Sequence, residues 1–425
     1  MLDRKTPPHI KDAIQFKVDL APCEKATLDN GIPLYFVNGG TEEVLMLDIV
    51  FFAGNDFEQQ NLVANGTNNL IKNGTSLKNA FQINEHFEYY GAYLNRACHN
   101  ETANITLHCL SKYLSHLLPV VQEVITDSVF PEAELETYKQ NSKQQLSVNL
   151  KKCDFIANRL IDEYVYGEDH PYGKYSTMEA YDAVTAEQLR EFFKKYYVNG
   201  KCIIFAAGKL PADFIEQINK AFGQLTTISQ VDLIKHTAHP AEQKKYRIEN
   251  DPNSVQGAIR LARPFPNRKH PDYKKTVVLN TVFGGFFGSR LMSNIREDKG
   301  YTYGIHTYMP NHIHQTAWMV STEAGKDVCE ATLSEIYKEM ELLKTELIDE
   351  EELLLVKNYM IGSTLGDIDG PFHIINRWKN LVLHGLDESF FKSSVQSVKD
   401  VTAEELQELA IKYLNPDDFY ELIVY

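Results

Sequence analysis

The chain is poor in features that would assign it to a membrane, a nucleic acid or an oxidising compartment. No run approaches the roughly 18 apolar residues of a membrane span, and no low-complexity segment interrupts the sequence. Positive charge is short: 43 Lys and Arg stand against 58 Asp and Glu, a formal charge of −15 with a pI near 5.4. Nucleic acids and anionic membrane surfaces attract basic faces, so neither is an expected partner. The six cysteines, Cys23, Cys98, Cys109, Cys153, Cys202 and Cys329, show no C-x-x-C spacing and are too sparse for a disulfide scaffold. A reducing compartment is the simplest reading. The opening stretch MLDRKTPPHIKDAIQF has no apolar core of a secretory signal, so a cytoplasmic protein is expected, and the sequons at Asn65, Asn73, Asn100 and Asn104 read as coincidence.

What the chain does contain is a copy of itself. VTAEQLREFFKKYY begins at Val184 and VTAEELQELAIKYL at Val401, an offset of 217 with eight of fourteen positions identical. Each is followed by an apolar run, CIIFAAG in one case and FYELIVY in the other. A second anchor sits at an offset of 218, where Leu135 and Lys139 fall opposite Leu353 and Lys357 behind long apolar-periodic helices. Self-similarity at a constant offset identifies a repeated folding unit, and 425 residues exceed the usual reach of one core. The polar stretch TTISQVDLIKHTAHPAEQKKY lacks periodicity, which places a linker at 226–244 between a first domain, 1–225, and a second, 245–425.

Within each copy, alternating strand-like segments precede long helices, the pattern of an α+β fold rather than a doubly wound one. VLMLDIVFFAG reads as a strand, NGTNNLIKNGT as a helix, and INEHFEYYGAYLNRACHNETANITLHCL as a helix running into a hairpin. The second copy repeats the theme in SVQGAIRLA, VVLNTVFGGFFGSRLMSNIREDKG and YTYGIHTYMPNHIHQTAWMVSTEA.

Two stretches, FGGFFGSRLMSNIREDKGYTYGI and GEDHPYGKYSTMEAYDAVTAEQLREFFKKYY, resemble the insulinase/pitrilysin zinc metallopeptidases, or inverzincins. The resemblance covers nearly the whole chain, duplication included. It implies two tandem similar domains, each an antiparallel sheet with helices packed on one face, forming half of a clamshell. It also implies an H-x-x-E-H helix, with two imidazoles for zinc and a carboxylate as general base. That motif is missing: none of the fourteen histidines has the spacing. Aligning the family's Gly-Thr turn with Gly74 and Thr75 puts Asn65, Asn68 and Asn69 where His, Glu and His belong, and Gln144 or Gln145 near the third ligand. Amides are neutral and weakly donating, so no metal ligand is assigned in this chain, and Asn68 has no basic form with which to activate water.

The resemblance carries over a second group. The family's second domain holds an arginine and, seven residues on, a tyrosine that reach the scissile carbonyl in the facing half; here they are Arg296 and Tyr303. Tyr301 and Tyr303, alternating on a strand, would face one side together. The family's edge strand for extended substrate matches YYGAYLNRACHN, with Gly91, Ala92, Tyr93, Leu94 and Asn95 as candidate peptide contacts. FGGFFGS has no following G-K-[ST] and reads as a tight helix entrance rather than a phosphate loop. His312 and His314 alternate without acidic or cysteine company and are not read as ligands.

Together these features imply the non-zinc subunit of a heterodimeric zinc peptidase. A partner of similar size would carry H-x-x-E-H and the zinc, and this chain would add Arg296 and Tyr303 at the peptide bond. The competing expectation is a noncatalytic peptide-binding or scaffold protein, alone or as a homodimer.

Overall fold

Two sheets organise the protein, and they share one strand order apart from an extra edge strand in the first. The computed structural model describes residues 11–228 and 234–425, so positions 229–233 of the expected linker lie outside the described residues. The first half contributes β1 (Glu24–Thr27), β2 (Pro33–Asn38), β3 (Val44–Phe51), β4 (Tyr93–Cys98), β5 (Ala103–Leu110) and β6 (Cys202–Gly208), ordered β1-β2-β6-β3-β5-β4. The second contributes β7 (Lys245–Ile248), β8 (Gln256–Phe265), β9 (Thr302–Tyr308), β10 (Thr316–Gly325) and β11 (Tyr420–Val424), ordered β7-β11-β8-β10-β9. Without β1, the first order maps strand for strand onto the second. The expected antiparallel sheets each include one parallel pair, β2 with β6 and β7 with β11. In each case the last strand returns after a long helical excursion, the kind of crossover a parallel pair requires.

The helices of the first half are α1 (Val63–Leu70), α2 (Ala80–Tyr89), α3 (Leu114–Asp127), α4 (Glu132–Asn149), α5 (Cys153–Tyr166), α6 (Met178–Ala183), α7 (Ala186–Phe193) and α8 (Phe214–Phe222). Those of the second are α9 (Tyr273–Asn280), α10 (Cys329–Thr345), α11 (Glu350–Gly366), α12 (Pro371–Leu383), α13 (Glu388–Asp400) and α14 (Ala403–Tyr413). The repeated VTAE opens α7 and α14 and is a helix-starting device. Thr185 and Thr402 accept from the third backbone N–H of their helices, and Gln188 and Glu405 accept in return from the threonine N–H. Val184 and Leu189, like Val401 and Leu406, are buried at the two positions of a hydrophobic staple.

The apolar runs that follow are unbroken because both faces of their strands are covered. Every residue of β6 and β11 is buried. Helices of the same half cover one face, and the other is covered by a helix from the opposite half. Helix α12 packs on β2 and β6, and α5 packs on β8 and β11. Ile375 of α12 joins the first core, while Ala157, Ile161 and Val165 of α5 pack with Leu422 and Val424. A strand buried on both faces cannot alternate, which explains CIIFAAG and ELIV.

Each crossing helix also makes one polar tie at equivalent strand positions, since Asp48 pairs across to Phe205 and Arg260 to Leu422, again 217 apart. Lys379 of α12 donates to Asp48 at 2.8 Å, and Arg260 donates to Asn158 of α5 at 2.7 Å. Among the described residues no helix is long and apolar enough to cross a membrane, and all six cysteines are unpaired.

Candidate functional site

Helix α1 presents three asparagines to three different environments. Asn68 is buried, and its amide donates to the Asn104 carbonyl at 3.3 Å and to the Tyr197 hydroxyl at 3.2 Å. Asn65 accepts from the Tyr138 hydroxyl at 2.9 Å, and Asn69 accepts from Arg96 at 3.5 Å. The Gly-Thr turn fixes the end of this segment. Gly74 has φ +153°, a Cβ there would meet Pro131 at 3.0 Å, and its carbonyl accepts from Val129 N at 3.0 Å. Helix α1 is thereby held against the start of α4.

Between α1 and α4 lies a cavity of ≈ 560 Å³ whose walls include Asn69, Arg96, Tyr138, Asn141 and Gln145. The structure separates two alternatives that the sequence left open: Gln145 lines the cavity and Gln144 does not. The residues present do not fit zinc, which takes imidazole, thiolate or carboxylate. The carboxylate on the wall, Glu134, accepts from Asn73 at 2.8 Å, and Asn68 is committed as a donor. Among the described residues no three His, Cys, Asp or Glu are placed to hold a metal ion. If α1 and α4 stand in ligand register, the triple variant Asn65→His, Asn69→His, Gln145→Glu is expected to retain about one zinc per chain after dialysis. Metal analysis of that variant checks the register, and a zinc-free result would refute it.

Arg296 and Tyr303 come together. Arg296 lies in a π-helical turn, Met292–Asp298, and Tyr303 on the edge strand β9. The guanidinium carbon sits 4.7 Å from the ring centre of Phe287 and 5.1 Å from that of Tyr303. Tyr303 is 91% exposed and Phe287 60% exposed, so this stack belongs to no core. Phe287 was not singled out from the sequence, because a cation–π partner nine residues before Arg296 has no periodic signal. Tyr301 departs from expectation: it precedes β9 and leans on the second core, so it does not share a face with Tyr303. The tight entrance is explained at Gly284, where a Cβ would meet Thr307 of β9 at 2.6 Å.

Strand β4 is the edge of the first sheet and pairs with β5. Gly91, at φ +60°, turns the chain out of α2. Tyr93 and Asn95 are exposed while Ala92 and Leu94 are buried, so only the first two side chains, together with the strand's backbone, face outward.

Where the halves meet, the two hairpin tips interlock: Ile313 N donates to Glu101 at 2.8 Å, and the His312 ring stacks on Tyr172 at 4.0 Å. His312 and His314 therefore belong to this seam, which His170, His236, His384 and Asp56 share. Burial, then repulsion from Glu101, pushes the Asp56 carboxyl up to about 8. Burial, then neighbouring positive charge, holds His170 and His384 down to about 4. The two effects have opposite signs. As pH rises from about 4 to 8 the unfolded chain ionises Asp56 before the folded chain does, so stability falls. As pH drops below about 6.5 the unfolded chain protonates the histidines first, and stability falls again. Burial also raises the Glu58 and Asp162 carboxyls to about 7, so Asp56→Asn is expected to reduce the alkaline arm of a melting-temperature profile between pH 5 and 8, not abolish it, and to leave the acid arm in place. An unchanged alkaline arm would remove Asp56 as a contributor to it.

These features define a duplicated α+β protein with asparagines along α1 in its first half and an exposed arginine–tyrosine stack in its second. The model described as insulinase, peptidase family M16, matches residues 42–170, and that described as the peptidase M16 inactive domain matches 183–360. The chain belongs to the insulinase family of peptidases, family M16. It is 23% identical over 407 residues to an uncharacterized zinc protease, YmxG, of Bacillus subtilis, covering 94% of this chain and 98% of that protein. It is 21% identical over 365 residues to the non-peptidase homolog YmxG of Helicobacter pylori, covering 84% and 82%. The crystal structure of a peptidase M16 inactive domain from Pseudomonas fluorescens superposes with a TM-score of 0.83 at 24% identity, covering 95% of this chain and 98% of that one. The likeness to that structure is one of fold.

Proposed function

We propose that this chain is the non-zinc subunit of a two-chain zinc peptidase, supplying Arg296 and Tyr303 to peptide-bond hydrolysis at a partner's metal site. The observation that supports this is the exposed stack of Phe287, Arg296 and Tyr303, which serves no packing purpose within the chain. The amides of α1 deny the same chain a metal site of its own. A guanidinium and a phenol both donate hydrogen bonds that strengthen as a carbonyl oxygen gains charge. Stacking between Phe287 and Tyr303 holds the guanidinium in place before substrate arrives. The substrate would be an extended peptide, with the open edge of β4 offering backbone hydrogen bonds. The unpaired cysteines are in keeping with a cytoplasmic setting.

The test is gentle isolation from the native host, followed by identification of what accompanies the chain and assay for zinc and peptide cleavage. A similar-sized chain bearing H-x-x-E-H, with about one zinc per pair and cleavage only in the pair, is the expected result. Recovery of this chain alone or as a homodimer, inert, would overturn the reading in favour of a noncatalytic peptide-binding or scaffold protein.

A further inference from the structure

The cavity between α1 and α4 borders the helix that the resemblance aligns with the family's metal motif, of whose three asparagines Asn69 alone lines it, and its most unusual occupant is an unpaired arginine. Arg96 sits on the edge strand β4, where the pleat turns Leu94, Arg96 and Cys98 inward and Tyr93 and Asn95 outward. Its guanidinium therefore reaches beneath α1 into the cavity. There its only side-chain contact among the described residues is the long 3.5 Å one to Asn69, and its Nε is buried with no partner. No carboxylate pairs with it among the described residues, although the chain has 58 acidic residues. Lys72, on the turn after α1 and outside the cavity lining, is near enough that its ammonium is pulled down first by burial and then by Arg96, with Glu88 opposing. The cavity's carboxylate, Glu134, is taken up by Asn73.

A buried guanidinium N–H without an acceptor is costly, and a carboxylate is the group whose two oxygens match the guanidinium fork. The surrounding amides of Asn69, Asn141 and Gln145 are exposed and uncharged. They can donate to the same anion without competing for its charge. We propose that this cavity is a carboxylate-binding pocket, in which Arg96 anchors a carboxylate of a peptide lying along the β4 edge. The proposal rests on the reading of the chain as a peptide-handling half of a peptidase. The carboxylate is either the peptide's C-terminus or an Asp or Glu side chain, and the two sources are separable.

The experiment is equilibrium dialysis of the full chain against three N-acetylated random nonapeptide pools, with bound peptide quantified by mass spectrometry. One pool has a free C-terminus, one is C-amidated, and one is C-amidated and made without Asp or Glu. The carboxylate-free pool is expected to bind at least about tenfold more weakly than the free-acid pool, the scale of a lost charge-assisted hydrogen bond. Arg96→Gln, with its melting temperature checked, is expected to abolish that difference. If Arg96→Gln fails to fold, Gln145→Glu, on the exposed wall, is expected to produce the same loss by placing a competing carboxylate in the cavity that Arg96 lines. An amidated acidic pool that binds like the free-acid pool identifies the side-chain source, and one that binds like the carboxylate-free pool identifies the C-terminus. Equal binding of all pools, a preference surviving in both variants, or no binding of any pool would overturn the pocket. Failure of the two-chain reading shows instead as an absent partner on isolation, whatever the dialysis finds.

Discussion

Arg296→Ala, made in the two-chain complex proposed above, is expected to lower turnover about 100-fold while KM changes little. The donor is needed most when the carbonyl oxygen carries charge, so its loss falls on the transition state rather than on substrate binding. Removal of one such preorganised donor costs roughly 2.7–4 kcal/mol. Tyr303→Phe is the sharper variant, because the ring that stacks on Arg296 at 5.1 Å is retained and only the hydroxyl is removed. It too is expected to cost kcat, and the double variant should fall short of the product of the single effects, since both groups serve one oxygen. Tyr303 is 91% exposed, so neither folding nor melting temperature should change. Size-exclusion chromatography with kinetics on the same preparations makes the comparison. Wild-type turnover in an intact Arg296→Ala complex would rule out a catalytic role.

Lys379→Met is expected to be the most damaging single change to stability among those considered, at about 3 kcal/mol. Asp48 is 1% exposed on the central strand β3, and Lys379 is its cationic partner, donating at 2.8 Å. Removing one member of a buried pair leaves an uncompensated charge and typically costs about 3–5 kcal/mol. Asp48 keeps neutral donors from Asn104 at 3.1 Å and Thr106 at 2.8 Å, which argues for the lower end. Because Lys379 arrives on α12 from the other half, the loss should also loosen the seam between the halves. Urea titration measures the effect. Asp48→Asn combined with Lys379→Met should recover much of it, since a neutral amide no longer needs the cation. A single-variant loss below about 1 kcal/mol would show that the pair contributes little.

Several features were legible along the chain because they are local. The VTAE starts follow from one capping box and one staple within six residues, so they survive duplication as readable text. The expectation that this chain supplies no zinc ligands rests on residue identity alone, for amides are not the donors zinc takes. The pairing of Arg296 with Tyr303 came through a family spacing of seven, and the edge position of β4 through its place after α2.

Other features depended on distant segments meeting. The unbroken apolar run of β6 records a helix 170 residues further on only once α12 is seen lying across it, and α5 does the same for β11. Opposite charges at Asp48 and Arg260 are unrelated in the sequence until strand register makes them equivalent. Arg96 is one more charge in a strand pattern, and it became an unpaired cation in a cavity when α1 and α4 closed around it. Helix starts, strand periods and missing ligands are set by neighbours in the chain. Which charges find partners, which face of a sheet is covered and where a cavity persists are set by contacts between segments far apart in it, and no local pattern encodes those.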